Sequence, residues 1–282
     1  MDDWRGHVAP SSRSNQLPSA RILGRRAFLT ALSAGTVAAL VASVESARSV
    51  PHDPGGGAPG GRPVAGSAQA PHLPKVPAGR AVSVLPGRGT NMALTVDDGT
   101  SSSVVGAYLD FVRANGVRLT FFPNGSNPSW TEHAATLRPL IESGQVQIGN
   151  HTWSHPDLTR LSDLDVADEI SRNESFFVNT FGVSGRPFLR PPYGAHNDRV
   201  DRIAADLGYP TIVMWWGSLG DSSVLTADQI MANAREWFLP QRIVIGHANH
   251  PGVTETFDQM LALLRERNLR TVTLNDVFTH AR

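Results

Sequence analysis

The chain has 282 residues, 25 Lys+Arg against 25 Asp+Glu and 40% hydrophobic residues, enough for one sizeable core and too little for two. This balance gives no basic footprint for phosphate backbones, which argues against nucleic acid as a partner. There is no cysteine, so disulfides, thiolate ligands, a Cys nucleophile and a lipidated Cys are excluded, and any bound metal must take His, Asp or Glu.

In chain order, the N-terminal region reaches Gly24-Arg25-Arg26-Ala27-Phe28-Leu29, followed by an uncharged, small-residue-rich apolar stretch from Ala27 to Val44. This pattern predicts a twin-arginine export signal over residues 1–47, with small residues between Ser43 and Ala47 offering several cleavage points. An uncleaved signal would leave a membrane anchor, because eighteen moderately apolar residues lie near the lower limit for spanning a bilayer. Residues 48–89 are crowded with Pro and Gly, as in Pro54-Gly55-Gly56-Gly57. With little to bury, they are expected to form a flexible tether, leaving 90–282 as the folded domain. The expected location is secreted or cell-wall-associated, and the expected state is a monomer.

From Thr90 onward, short β-rich runs alternate with amphipathic helical patterns, which predicts parallel βα units. The strand candidates are Met92–Val96, Arg118–Phe122, Gln145–Ile148, Pro187–Leu189, Thr211–Trp215, Arg242–Gly246 and Arg270–Leu274. Between them, Val200, Ile203, Ala204 and Leu207 fall at helical spacing, as do Phe257, Met260, Leu261 and Leu264. Gly116, Gly144, Gly182 and Gly208 stand where helix-terminating residues belong. Seven parallel strands suit an open doubly wound sheet or a closed barrel, and periodicity does not choose between them.

Function in such folds gathers in the loops after the C-terminal strand ends. Asp97 and Asp98 follow the first candidate strand, His151 and His155 the third, Arg190 and Tyr193 the fourth, Asp221 the fifth and His247 the sixth. Each alone has a bland explanation, since Asp98-Gly99 is a common turn and Arg190 can serve a surface carboxylate. Their convergence on one rim is harder to dismiss. His151-Thr152-Trp153-Ser154-His155 places two imidazoles four residues apart, within reach of one ion. With Asp98 they make a two-nitrogen, one-carboxylate set that leaves positions open for water and substrate, the pattern of catalytic rather than structural zinc. A divalent ion lowers the pKa of bound water to about 7, and Asp97 is the neighbouring carboxylate able to complete the deprotonation.

Together these residues resemble the polysaccharide deacetylase family, also called the NodB homology or carbohydrate esterase family 4 group, over about Asn91 to Asn275. Thr95-Val96-Asp97-Asp98-Gly99-Thr100 resembles the first motif, Thr-Phe-Asp-Asp-Gly-Pro, which implies Asp97 as catalytic base and Asp98 as metal ligand. His151 to His155 matches His-Ser/Thr-x-x-His. Arg190-Pro191-Pro192-Tyr193 is similar to Arg-x-Pro-Tyr, implying that Arg190 orients the base and that the Tyr193 N–H helps bind the oxyanion. Ile245-Gly246-His247 resembles Leu-x-His and nominates His247 as general acid, ahead of His250 on the same loop. The resemblance implies a distorted (β/α)7 barrel. Two departures stand out: Thr100 replaces the usual proline, and Ser218-Leu219-Gly220-Asp221-Ser222 keeps only the second Asp of Asp-x-x-Asp-Trp. Asp221 is then the expected partner of the general acid or of Arg190, and Trp215 and Trp216 are candidate sugar-stacking surfaces.

The implied activity is removal of acetyl groups, N-acetyl and also O-acetyl, from a cell-wall or extracellular polysaccharide by attack of metal-bound water. The ion is expected to be Zn2+, with Co2+, Ni2+ or Mn2+ as substitutes. Two other readings keep the fold: a hydrolase of a non-sugar amide C–N bond, and a carbohydrate-binding protein with a decayed site.

Overall fold

The structure, a computed structural model, describes residues 81–278. The expected export signal and residues 48–80 of the expected tether lie outside the described residues. The chain runs through β1 (Asn91–Asp98), α1 (Ser102–Asn115), β2 (Leu119–Pro123), α2 (Ser129–Glu132), α3 (Ala134–Glu142) and β3 (Val146–Ile148). It continues with α4 (Asp163–Phe181), β4 (Phe188–Leu189), α5 (Asp198–Asp206), β5 (Thr211–Ile212), β6 (Gly217–Ser218), α6 (Ala227–Trp237), β7 (Ile243–His247), α7 (Phe257–Glu266) and β8 (Arg270–Thr271).

The helices form where pattern and caps agree. On α1, Val104, Val105, Tyr108, Leu109 and Val112 make one buried stripe, each such aliphatic side chain contributing about 1.5–3 kcal/mol when removed from water. Gly116 and Gly182 end α1 and α4 in the left-handed conformation, and Gly144 and Gly208 adopt positive φ just beyond α3 and α5. Ser162 caps α4, and Thr226 with Gln229 forms a reciprocal capping box on α6.

The main sheet is parallel in the order β3-β2-β1-β7-β6, with β8 beside the first residues of β1. Strands β4 and β5 pair separately. A single parallel bridge, Asn150 to Leu189, joins the end of β3 to β4. Val82 bridges Val213 just past β5, while Val84 bridges Arg242 just before β7. These links carry the two-stranded piece around toward β7, giving the distorted α/β barrel expected from the sequence and resolving the open-or-closed alternative.

Three findings differ from the sequence expectation in detail. Residues 81–86 were assigned to the tether, yet Val82 and Leu85 are buried and clip β5 to β7, so the folded unit begins before residue 90. The Thr211–Trp215 run yields only Thr211–Ile212, because the chain turns after Val213 and brings Trp215 to the cavity wall. An eighth strand, Gly217–Ser218, pairs with Val244 and Ile245 of β7.

Side-chain alternation along β1 sorts the core into layers. Met92, Leu94 and Val96 join the cluster under α1, α3 and α7. Ala93 joins a second cluster with Phe122, Phe188, Val213 and Ile243. Thr95 and Asp97 share the parity of Ala93, so Asp97 comes to the C-terminal end of β1 already buried.

Candidate active site

The site starts with strand register. Asp97 pairs with His247 and Asp98 with Pro123 at the C-terminal ends of adjacent parallel strands. After Asp97 the chain breaks extended geometry: Asp98 has φ 65° and Gly99 has φ 83°. Gly99 is required there, since a Cβ would lie 2.3 Å from the Trp130 indole. That indole donates its N–H to the Asp98 carbonyl at 2.8 Å and the Asn127 amide donates to the same oxygen at 2.9 Å, which holds the turn from outside. Four of the six described non-glycine residues with positive φ are Asp98, Thr152, His155 and Tyr193. Conformations of this kind cost about 1–3 kcal/mol each and persist only where the surroundings over-determine them.

For the imidazoles, buried asparagines supply that determination. Asn124 donates to the carbonyls of His151 and Thr152 at 2.5 and 3.1 Å. Asn150 accepts from the Thr152 N–H and from Asn173, and Asn173 also donates to the Pro123 carbonyl. The His151 ring then docks its Nδ1 on the Arg190 carbonyl at 2.7 Å. A carbonyl only accepts, so Nδ1 carries the proton and the neutral ring offers its lone pair at Nε2. His151 Nε2 and His155 Nε2 lie 3.3 and 3.4 Å from Asp98 Oδ1.

Ligand atoms of Asp98, His151 and His155 all fall within 4.8 Å of one another. Asp98 Oδ1 is buried and has no hydrogen-bond partner, a costly state for a charged acceptor unless a cation meets it. This orphaned oxygen between two imidazole nitrogens, in a mixed nitrogen and oxygen donor set, fits a divalent metal. The electrostatics agree. Burial tends to raise the Asp98 carboxyl, but His151, His155 and Asn249 hold it well below the ordinary carboxylate range. Burial tends to lower His151, yet Asp97 and Asp98 outweigh it and raise that imidazole. His155 is lowered, chiefly by burial and then by the neighbouring His151 charge.

Asp97, 1% exposed, sits beside this set with Oδ2 3.5 Å from His151 Nε2. Its other oxygen accepts from Arg190 Nη1 at 2.6 Å. Arg190 is fully buried, donates to the carbonyls of Val213 and Met214, and stacks its guanidinium 4.3 Å over Phe122. Across the cavity, His247 meets Asp221 twice: its backbone N–H and its Nδ1 lie 3.1 Å from the two carboxylate oxygens. Gly246 keeps the strand close to its neighbours, since a Cβ there would come 3.0 Å from Leu219 and 3.2 Å from the Tyr108 hydroxyl. Burial tends to lower His247, but Asp221, Asp97 and Asp98 raise it on balance.

These groups open onto one cavity of about 380 Å³. It gathers Asp97, Asp98, His151, His155, Tyr193, Trp215 and His247 from the sequence-predicted set. Arg190 and Asp221 stand behind Asp97 and His247. Tyr193 is 72% exposed at the rim, with its ring edge-on to His155 at 4.5 Å. Trp216 does not join the cavity: it is 52% exposed, and Arg242 covers its ring at 4.5 Å. Its chain neighbour Trp215, just after the turn that follows β5, faces inward and lines the cavity. His250 also stays outside, at the start of a short 3-10 turn. Sequence reasoning missed Asn249, whose amide donates to Asp98 Oδ2 at 2.7 Å, and Ser218 and Ser222 on the far wall. Only the proximity of Asn249 to His247 in the chain hinted at it.

The class this defines is an α/β barrel with an Asp-His-His group at the carboxyl ends of its strands, whose ligand atoms are close enough to hold a metal ion beside a second carboxylate. Residues 86–212 match the family model described as Polysaccharide deacetylase, the family that the sequence motifs resemble. It is 30% identical over 205 residues to the peptidoglycan-N-acetylglucosamine deacetylase PgdA of Listeria monocytogenes, a match that spans 72% of this chain and 42% of that protein. The chain therefore covers less than half the length of that relative. Among solved structures, a peptidoglycan N-acetylglucosamine deacetylase bound to an N-hydroxybenzamide superposes with a TM-score of 0.63 at 24% identity, over 71% of this chain and 94% of that one. A carbohydrate esterase family 4 pseudoenzyme from Bacillus anthracis gives the same TM-score at 20% identity, over 73% of this chain and 74% of that one. Likeness of fold therefore does not separate active from inactive members, and the site must.

Proposed function

We propose that the protein is a metal-dependent hydrolase that removes N-acetyl groups, and secondarily O-acetyl groups, from a cell-wall polysaccharide. One observation carries this reading: Asp98 Oδ1, buried and unpartnered, faces the Nε2 atoms of two histidines beside a second carboxylate that Arg190 holds in place. Asp98, His151 and His155 would hold the ion, zinc being the best match to two imidazoles and a carboxylate. When bound, such an ion polarises an acetyl carbonyl and acidifies water.

The chain's own residues do the rest. Asp97 takes the proton of the attacking water, and its ion pair with Arg190 keeps the second oxygen aimed at the cavity. The Tyr193 N–H donates to the oxygen of the acetyl group as negative charge develops there, an interaction worth most in the transition state. As the C–N bond breaks, His247 passes a proton to the departing amine, so one water and one amide become acetate and a free amine. Asp221 keeps that imidazole protonated and oriented. The exposed Tyr193 and the inward Trp215 offer flat faces to a sugar ring. The intact Asp221–His247 pair counts against the decayed-site reading, because the eroded fourth motif retains the one carboxylate that His247 needs.

The setting of the reaction is inferred from the sequence alone, from the Gly24 to Leu29 motif: residues 1–47 would direct export, and the Pro/Gly-rich stretch beyond them would space a monomeric catalytic domain from the envelope. Acetate release by the purified full-length chain from N-acetylglucosamine oligomers, peptidoglycan and acetylated xylan tests the proposal. Release from the first two substrates, lost on chelation and restored by zinc, is expected. No release from any of them by metal-loaded protein, or release indifferent to chelation, would contradict it.

A further inference from the structure

Asp98 turns only one carboxylate oxygen toward the two imidazoles. Its other oxygen, Oδ2, accepts a hydrogen bond from Asn249 Nδ2 at 2.7 Å, on the loop after β7. The same asparagine reaches back to the β1 turn, where its Oδ1 accepts from the Thr100 backbone N–H at 3.2 Å and from the Thr100 hydroxyl at 2.9 Å. A backbone N–H can only donate, so the amide oxygen must face Thr100 and the NH2 must face Asp98. Thr100 thereby fixes which end of Asn249 meets the carboxylate. Proline at that position, as in the family's usual first motif, supplies neither the N–H nor the hydroxyl.

We propose that Asn249, its amide locked by Thr100, is a positioning residue that commits Asp98 to binding a divalent cation through Oδ1 alone. The proposal rests on the metal reading of the site. The terminal torsion of an aspartate is broad and roughly two-fold, so an unrestrained carboxylate can swing both oxygens toward a cation. Two-oxygen ligation would consume a position that water and the acetyl carbonyl need. The Asn249 donor prevents this by occupying Oδ2. A hydrogen-bonded ligating carboxylate is also pre-oriented, which strengthens retention of the metal.

The test titrates the metal-free full-length chain with zinc against a chromophoric chelator and records the visible absorption of the cobalt form. Asn249→Ala is expected to weaken zinc binding about 10–100-fold, the range for removing an outer partner of a metal ligand, and to alter the cobalt bands. Thr100→Pro weakens zinc binding less. The double variant binds no more weakly than Asn249→Ala alone, because Thr100 acts through Asn249. Thermal melting of the metal-free proteins checks that each variant folds; Thr100→Val, which removes only the hydroxyl, carries the test if Asn249→Ala does not, with a smaller loss expected. Parental affinity and parental cobalt bands in these variants would overturn the proposal, and full additivity in the double variant would overturn the role of Thr100. A parent chain that takes up no metal would overturn the metal reading itself, so the two failures are distinguishable.

Discussion

Where β1, the loop after β3 and the loop after β4 meet, Asp97, His151 and Arg190 are each held from several directions. Arg190 spends its guanidinium on Asp97 and two carbonyls, His151 is fixed through Nδ1, and buried asparagines hold the backbone that carries the histidines. The opposite wall, from Trp215 to Val224, is built more loosely. Trp216 is 52% exposed and Val224 80% exposed, and the segment meets the chemistry through Asp221 on His247 and Trp215 beside the Arg190 guanidinium. The half that positions reacting groups tolerates strain at Asp98, Thr152, His155 and Tyr193 because it is over-determined. The half that would meet the polymer is free to vary, and it is where the family motif has eroded.

That contrast predicts unequal responses to mutation. The largest is expected for His151→Ala, which removes one of three ligands and the ring held by Arg190; elemental analysis should find no stoichiometric metal, and acetate release should fall below detection. A full equivalent of metal in this variant would refute the ligand set. Asp221→Asn comes next, crossing to the looser wall. His247 is expected to act as a protonated acid and its pKa is raised, so turnover should persist to higher pH in the parent and fall once pH exceeds that raised value. Removing the Asp221 charge lowers the His247 pKa, so the alkaline limb of kcat against pH should move down and turnover at neutral pH should drop about 10–100-fold, within the span of general-acid effects. An unmoved limb would detach Asp221 from that role. The smallest effects belong to the tryptophans. Trp215→Ala should raise KM about 10-fold with kcat nearly kept, as expected for loss of a contact worth about 1–2 kcal/mol. Trp216→Ala should leave both unchanged, because its ring serves Arg242. Equal effects from the two would erase the distinction between an inward and an outward ring.

Most of the chemistry was legible in the sequence because parallel α/β folds put it at strand ends, and the strand ends could be read from apolar runs. Asp97, His151, Arg190 and His247 each follow such a run, and register then brings Asp97 beside His247. What escaped notice lacked that kind of signal. The Gly217–Ser218 strand is two residues long, too short for any period. Val82 and Leu85 sit among prolines and glycines, so composition masked their burial. Asn249, Asn124, Asn150 and Asn173 act through hydrogen bonds to residues distant in sequence, and no local pattern announces such partners. Trp215 and Trp216 look alike in the sequence, and only the turn after β5 decides which faces inward.

The account depends most on Asp97 working beside a cation that it does not itself retain. The direct measurement is metal content together with acetate release for the parent and for Asp97→Asn, purified as full-length chains. One equivalent of metal in both proteins, with acetate release reduced about 100-fold or more in the variant, is the predicted result. Parental turnover by Asp97→Asn, or a parent that releases acetate without any bound metal, would contradict it.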